Sequence, residues 1–183
     1  MSKSIREMIK LGPVGQPGEG KSWDEKGRSQ IYQMFISYGV DMLNGLQFQY
    51  VEKGSLVLSD PLGNMAGANF KLIKLDYPSE YITWVKIKKS LTGIRWLAFK
   101  TNLGNLHGPF PPTSLKPDAY KRISDDEDML STGFDLGNDN QFGGFYGTYD
   151  SNTIRSLGIY VQPMSSMKTA SASQNGDPVP GLK

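Results

Sequence analysis

The run Gly15-Gln16-Pro17-Gly18-Glu19-Gly20-Lys21-Ser22 matches the Walker A pattern, in which backbone N–H groups cradle phosphates at the start of a helix. Its surroundings argue against that chemistry. Pro17 removes one donor from the cradle, and Gly27 falls where the helix should run. Beyond it the apolar residues alternate with period two, so no strand–loop–helix unit is expected and no nucleotide site with it. Leu56-Val57-Leu58-Ser59-Asp60 is faintly like a Walker B strand, but Pro61 and the glycines that follow suit a turn better. His107 is the only histidine and cysteine is absent. Histidine-based triads, multi-histidine metal sites, thiolate sites and disulfides therefore lack their partners. Asp135-Leu136-Gly137-Asn138-Asp139-Asn140 offers oxygen ligands without the EF-hand spacing or its closing glutamate, and is read as a turn. No catalytic constellation assembles, so neither an enzyme nor a cofactor or metal is expected.

The elements that must position any remaining site are strands. At 183 residues the chain has room for one domain with a buried core. With 38% hydrophobic and 21% charged residues it is neither a disordered chain nor a membrane one, and no apolar run approaches the roughly 18 residues of a spanning helix. The opening Met1-Ser2-Lys3-Ser4-Ile5-Arg6-Glu7 has no apolar stretch of the secretory kind, and a cytoplasmic location is the expectation. A formal net charge of +2 is too small to argue for nucleic acid. The densest basic stretch, Lys86-Ile87-Lys88-Lys89, reads as the solvent side of a strand.

Strand-like runs recur from Ile31 to Tyr38, Leu46 to Val51, Leu56 to Leu58, Phe70 to Leu75, Tyr81 to Ile87, Ile94 to Phe99 and Ile154 to Val161. The 21 glycines and 11 prolines fall largely between them, which is the pattern of a sandwich, barrel or related closed β architecture. Leu43-Asn44-Gly45-Leu46-Gln47-Phe48, Ile94-Arg95-Trp96-Leu97-Ala98-Phe99 and Ile154-Arg155-Ser156-Leu157-Gly158-Ile159 resemble one another. Each is read as a strand with three apolar residues, two apart, on one face, and their spacing suggests a pseudo-threefold β structure. Residues 103–131, with Pro109, Pro111, Pro112, Pro117 and the acidic Asp125-Asp126-Glu127-Asp128, read as an irregular connection. Residues 1–8 read as an N-terminal extension, 9–163 as the domain and 164–183 as a flexible tail.

The glycine loop has another explanation. Gly12-Pro13-Val14-Gly15-Gln16-Pro17-Gly18-Glu19-Gly20-Lys21-Ser22-Trp23-Asp24-Glu25 resembles the opening of the plant jacalin-related lectins, where Gly-Pro-x-Gly-Gly and later Trp-Asp-Asp-Gly recur. The resemblance continues in order through Ile36-Ser37-Tyr38-Gly39, Leu75-Asp76-Tyr77-Pro78-Ser79-Glu80-Tyr81, Leu97-Ala98-Phe99-Lys100-Thr101-Asn102, Gly143-Gly144-Phe145-Tyr146-Gly147 and Ile159-Tyr160-Val161-Gln162-Pro163. It implies an all-β fold, a β-prism of three Greek-key antiparallel sheets with pseudo-threefold symmetry. Leu56-Val57-Leu58-Ser59-Asp60 and Phe142-Gly143-Gly144-Phe145-Tyr146-Gly147-Thr148-Tyr149-Asp150 look most like a non-classical branch of the family that restricts plant virus movement.

The resemblance also implies a shallow hexose site at one end of the prism. There a backbone N–H of the glycine loop and a Gly-x-x-x-Asp segment before the last strand meet the sugar. The aspartate accepts from two hydroxyls at once, a charge-assisted pairing. This chain departs from that motif. Gly15 is kept but Gln16 replaces the second glycine, and the later segment aligns as Ser151-Asn152-Thr153-Ile154-Arg155. Serine stands for the glycine and arginine, which has no acceptor, for the aspartate. Asp150 could supply a displaced carboxylate from a different loop conformation. Three readings stay open for Arg155: a solvent-facing strand residue like Arg95, part of an altered sugar site, or an anion site. The expected partners are a mannose- or glucose-type carbohydrate, an anionic glycan or a protein, with a homo-oligomer also left open. Nucleic acid and membrane insertion are not expected. The resemblance implies either a carbohydrate-binding protein with a weakened hexose site or a sugar-independent interaction and defence scaffold.

Overall fold

The structure is a computed structural model that describes residues 7–112 and 129–164. Among the described residues there is no helix. The strands are β1 (Ile9–Gly15), β2 (Lys21–Asp24), β3 (Ile31–Tyr38), β4 (Leu43–Glu52), β5 (Ser55–Leu58), β6 (Leu62–Gly63) and β7 (Asn69–Lys74). They continue as β8 (Ile82–Lys89), β9 (Ile94–Thr101), β10 (Leu106–Phe110), β11 (Ser131–Asp135), β12 (Asn140–Tyr149) and β13 (Ile154–Pro163). Three antiparallel sheets have the orders β1-β13-β12-β2, β10-β9-β8-β11 and β5-β4-β3-β7, with β6 also on β4. In the last two, consecutive hairpins are followed by a strand that returns beside the first, a Greek key. The first sheet has the same order if β12-β13 is followed by β1-β2, so both ends of the described domain meet between β13 and β1.

The repeat defines the central strand of each sheet. Its copies open β4, β9 and β13. In every copy the first two apolar residues are three apart, not two, and plain alternation would put them on opposite faces. A bulge reconciles this spacing with a single buried face. Pairing steps from Ser37↔Gly45 to Tyr38↔Leu43, from Lys88↔Trp96 to Lys89↔Ile94 and from Thr148↔Ser156 to Tyr149↔Ile154. Asn44, Arg95 and Arg155 are the extra residues. Leu43, Ile94 and Ile154 thereby point inward with Leu46, Leu97 and Leu157, and all six are fully buried. Phe48 stacks on Phe145 at 5.3 Å, tying two sheets together across that core.

Two expectations are corrected. Residues 106–110 are not irregular. They form edge strand β10, and Gly108-Pro109 lies where the pairing shifts between His107↔Phe99 and Phe110↔Leu97. An edge strand with a bulge is where proline's missing N–H costs little. Gly12-Pro13 occupies the matching place on edge strand β1, where the register shifts between Leu11 and Val14. Lys86 is on the outward side of β8 but not in water, because it is 5% exposed and shares that face with the buried Trp96 and Ala98. Residues 113–128, with the acidic run, and the tail from 165 onward lie outside the described residues.

Candidate functional site

The first hairpin of each Greek key turns at the same end of the prism. The turns 39–42, 90–93 and 150–153 are each closed by a hydrogen bond from the first N–H to the fourth carbonyl, at 2.9, 2.8 and 3.1 Å. They are also laced to one another. Asn44 Nδ2 donates to the Asn152 carbonyl at 3.0 Å, Thr153 Oγ1 to the Leu43 carbonyl at 2.7 Å, and Arg155 Nη1 to the Thr92 carbonyl at 2.6 Å. Repeated bulges at one level of three sheets thus build a single surface from segments far apart in sequence.

The glycine loop meets this surface where β1 ends. Gly15 has φ +107°, and a Cβ there would press into the Arg155 carbonyl and lie 2.9 Å from Ile94 Cδ1. Only glycine lets the loop approach β13 this closely. The next N–H, that of Gln16, donates to the Arg155 carbonyl at 2.8 Å, while the Gln16 amide reaches the Leu91 carbonyl at 3.3 Å. Lys21-Ser22 then enters β2, so a strand stands where a phosphate loop would have its helix.

The Asp150 carboxylate is held by its own turn and by Arg155 of β13. Oδ1 accepts the N–H of Asn152 at 2.8 Å and of Thr153 at 3.0 Å. Oδ2 accepts both Nε and Nη2 of Arg155. A carboxylate has about four acceptor positions, and four donors fill them here. Burial alone would raise the Asp150 pKa. The N–H of Asn152, the Arg155 guanidinium and the N–H of Thr153 outweigh it and hold the carboxyl below its ordinary value. The other carboxylate nearby, Glu19, also faces Arg155, at 3.3 Å from Nη1.

Of the residues singled out in the sequence, Gly15, Gln16, Asp150, Asn152, Thr153 and Arg155 are joined by these contacts, and Ser151 is exposed at the turn. Arg155 does occupy the bulge position of the exposed Arg95, but its side chain turns back onto the loop and is 23% exposed. Glu19, Asn44, Leu91 and Thr92 belong to the same surface and were missed. The repeat carried a signal for three of them, because Asn44 is the residue equivalent to Arg155 and Leu91-Thr92 precedes the second copy.

Three Greek-key sheets with a turn-lined end define a protein of the β-prism lectin class. Residues 11–160 match the jacalin-like lectin domain model, and the chain belongs to that family. It is 38% identical to Jacalin-related lectin 2 of Arabidopsis thaliana, covering 85% of this chain and 86% of the relative. It is 36% identical to Protein RESTRICTED TEV MOVEMENT 1 of the same plant, covering 85% and 87%. Among solved structures, a mannose-binding jacalin-related lectin from Ananas comosus is 25% identical with a TM-score of 0.63, over 85% of this chain and 98% of that one.

Proposed function

We propose that this chain is a carbohydrate-binding protein of the jacalin-related type, without enzymatic activity, whose hexose site is altered and weakened. The observation that carries the reading is the Asp150 carboxylate, with all its acceptor positions filled by Asn152, Thr153 and Arg155. The Gln16 N–H is equally committed. A sugar diol would have to displace Arg155 before it could pair with this carboxylate. A hydrogen bond to a charged group is worth about 1.5–3 kcal/mol, so forgoing even one leaves a shallow single site too weak to hold a free hexose. On a glycan array the whole chain is expected to ignore the monosaccharides mannose, glucose and galactose. The double substitution Arg155→Asp with Ser151→Gly should raise the mannose signal, and strong mannose binding by the unaltered chain would contradict the reading.

A second reading, a sugar-independent interaction scaffold in the cytoplasm acting in plant defence, is favoured by a separate observation. Val40 and Leu91, at the tips of the other two turns, are 90% and 94% exposed. Apolar side chains so presented beside a closed polar site suit a protein partner better than a sugar. The likeness to Protein RESTRICTED TEV MOVEMENT 1 of Arabidopsis thaliana supports the same reading. If it holds, Val40→Asp with Leu91→Asp abolishes restriction of virus movement in plant tissue, whereas Asp150→Ala leaves it intact. The reverse pattern would return the function to the carbohydrate end.

A further inference from the structure

The opposite end of the prism, where β3, β8 and β12 begin, carries two adjoining clefts. One, of about 480 Å³, lies among Tyr81, Thr83, Asn102, Asp135 and Asn138. The other, of about 250 Å³, lies beside Tyr77, Pro78 and Gln141. Tyr81 lines both, and the residue is 49% exposed. An aromatic ring between a polar and a half-apolar cleft has what a pyranose needs: a flat apolar surface, with acceptors and donors at its rim.

The walls are fixed before any ligand arrives. The Tyr81 N–H donates to Asn102 Oδ1 at 2.8 Å, and the Asn102 N–H returns to the Tyr81 carbonyl at 3.0 Å. Next to it, the buried Glu80 carboxylate accepts the Asp76 N–H at 2.9 Å, the Thr101 hydroxyl at 2.7 Å and the Asn105 amide at 2.8 Å. Across the cleft, Asp135 Oδ1 accepts the Gly137 N–H at 3.0 Å, and Asn140 Nδ2 holds the Leu136 carbonyl at 2.9 Å. This anchoring uses one oxygen of Asp135. Among the described residues no protein group takes its other oxygen or the Asn138 amide. A preorganised wall with unused polar atoms loses little entropy on binding.

We propose that this base end is a second carbohydrate site, separate from the glycine-loop end, for β-linked glucose-type oligosaccharides. In such sugars the hydroxyls are equatorial, so both ring faces present only C–H groups, and one face can lie on Tyr81. The hydroxyl edge then meets the free oxygen of Asp135 and the amide of Asn138, a charge-assisted acceptor beside a neutral donor. Two clefts meeting at one ring suit more than a single sugar unit.

The test is a titration of the 15N-labelled whole chain with cellotriose at millimolar concentration. Shift changes are expected at the amides of Thr83, Asn102, Gly137 and Asn138. They should disappear in Tyr81→Ala and survive in Tyr81→Phe, with the dispersed amide spectrum of each variant showing that it is folded. Asp135→Asn should weaken the binding about tenfold, the loss of one charge-assisted bond. No shift at the base amides, or shifts that persist in Tyr81→Ala, would overturn the proposal.

Discussion

Arg155 pairs with the Asp150 carboxylate through a guanidinium, which offers several donors in a fixed fork and no acceptor. It takes both a carboxylate oxygen of Asp150 and the Thr92 carbonyl. Arg155→Ala should therefore raise the Asp150 pKa toward its ordinary 3.8, since the guanidinium is one of the groups that lower it, though the N–H groups of Asn152 and Thr153 remain. The carboxyl carbon chemical shift against pH reads this directly, and an unchanged titration would show that the pair contributes nothing. At the other end, burial raises the pKa of Glu80, but the Asn105 amide, the Asp76 N–H, the Thr101 hydroxyl and His107 together bring it below 4.5. A carboxyl lowered in the folded state stabilises above its unfolded value, and that contribution is lost as pH falls through the folded one. Glu80→Gln should thus flatten the fall of melting temperature below about pH 4.5, although it lowers stability at pH 7. At this scale the sequence was only half legible. That Arg155 brings donors and no acceptor was plain from its type, but the fit of Arg155 onto Asp150 depends on a loop conformation that residue types alone do not fix.

At the scale of elements, one device recurs three times, a bulge one residue into each central strand. The spacing of three between Leu43 and Leu46, Ile94 and Leu97, and Ile154 and Leu157 is its trace in the sequence. Ordinary alternation missed it, because period two has no place for an extra residue. Strand β10 was hidden for a related reason: Pro109 argues against pairing unless the strand is an edge and the proline lies at a register shift, which sequence does not reveal. The close approach of β1 to β13 is the element-level feature most open to test. Gly15→Ala puts a methyl group against the Arg155 carbonyl in a left-handed backbone conformation. It should cost about 1–3 kcal/mol in urea unfolding, by the usual magnitude of such strain. A neutral result would mean that the loop can move away from β13 without loss.

At the scale of the whole molecule, three sheets share one core, and beside it the described residues hold a small separate cluster of Trp84, Trp96 and Ala98 on the outer face of the β8–β9 sheet. Phe48 and Phe145, from different sheets, stack at the centre of the shared core, and Leu46, Leu97 and Leu157 come from all three. Unfolding should therefore be a single transition. Fluorescence is a useful probe, because Trp23 lies on β2 while Trp84 and Trp96 lie on β8 and β9 of a second sheet. Its melting curve should coincide with that of far-ultraviolet circular dichroism, and separated midpoints would show that the sheets unfold independently. The same shared core holds the three turns at one end in register, so the site is a property of the assembled prism and not of any one loop.

The central claim, that the chain closes its own hexose end with the Asp150–Arg155 pair, is tested most directly by titrating the 15N-labelled protein with methyl α-mannoside to millimolar concentration. The account predicts that the amides of Gly15, Gln16, Asn152 and Thr153 do not shift. Saturating shifts at those amides, abolished by Asp150→Ala, would contradict it and show that the carboxylate is free to take the sugar.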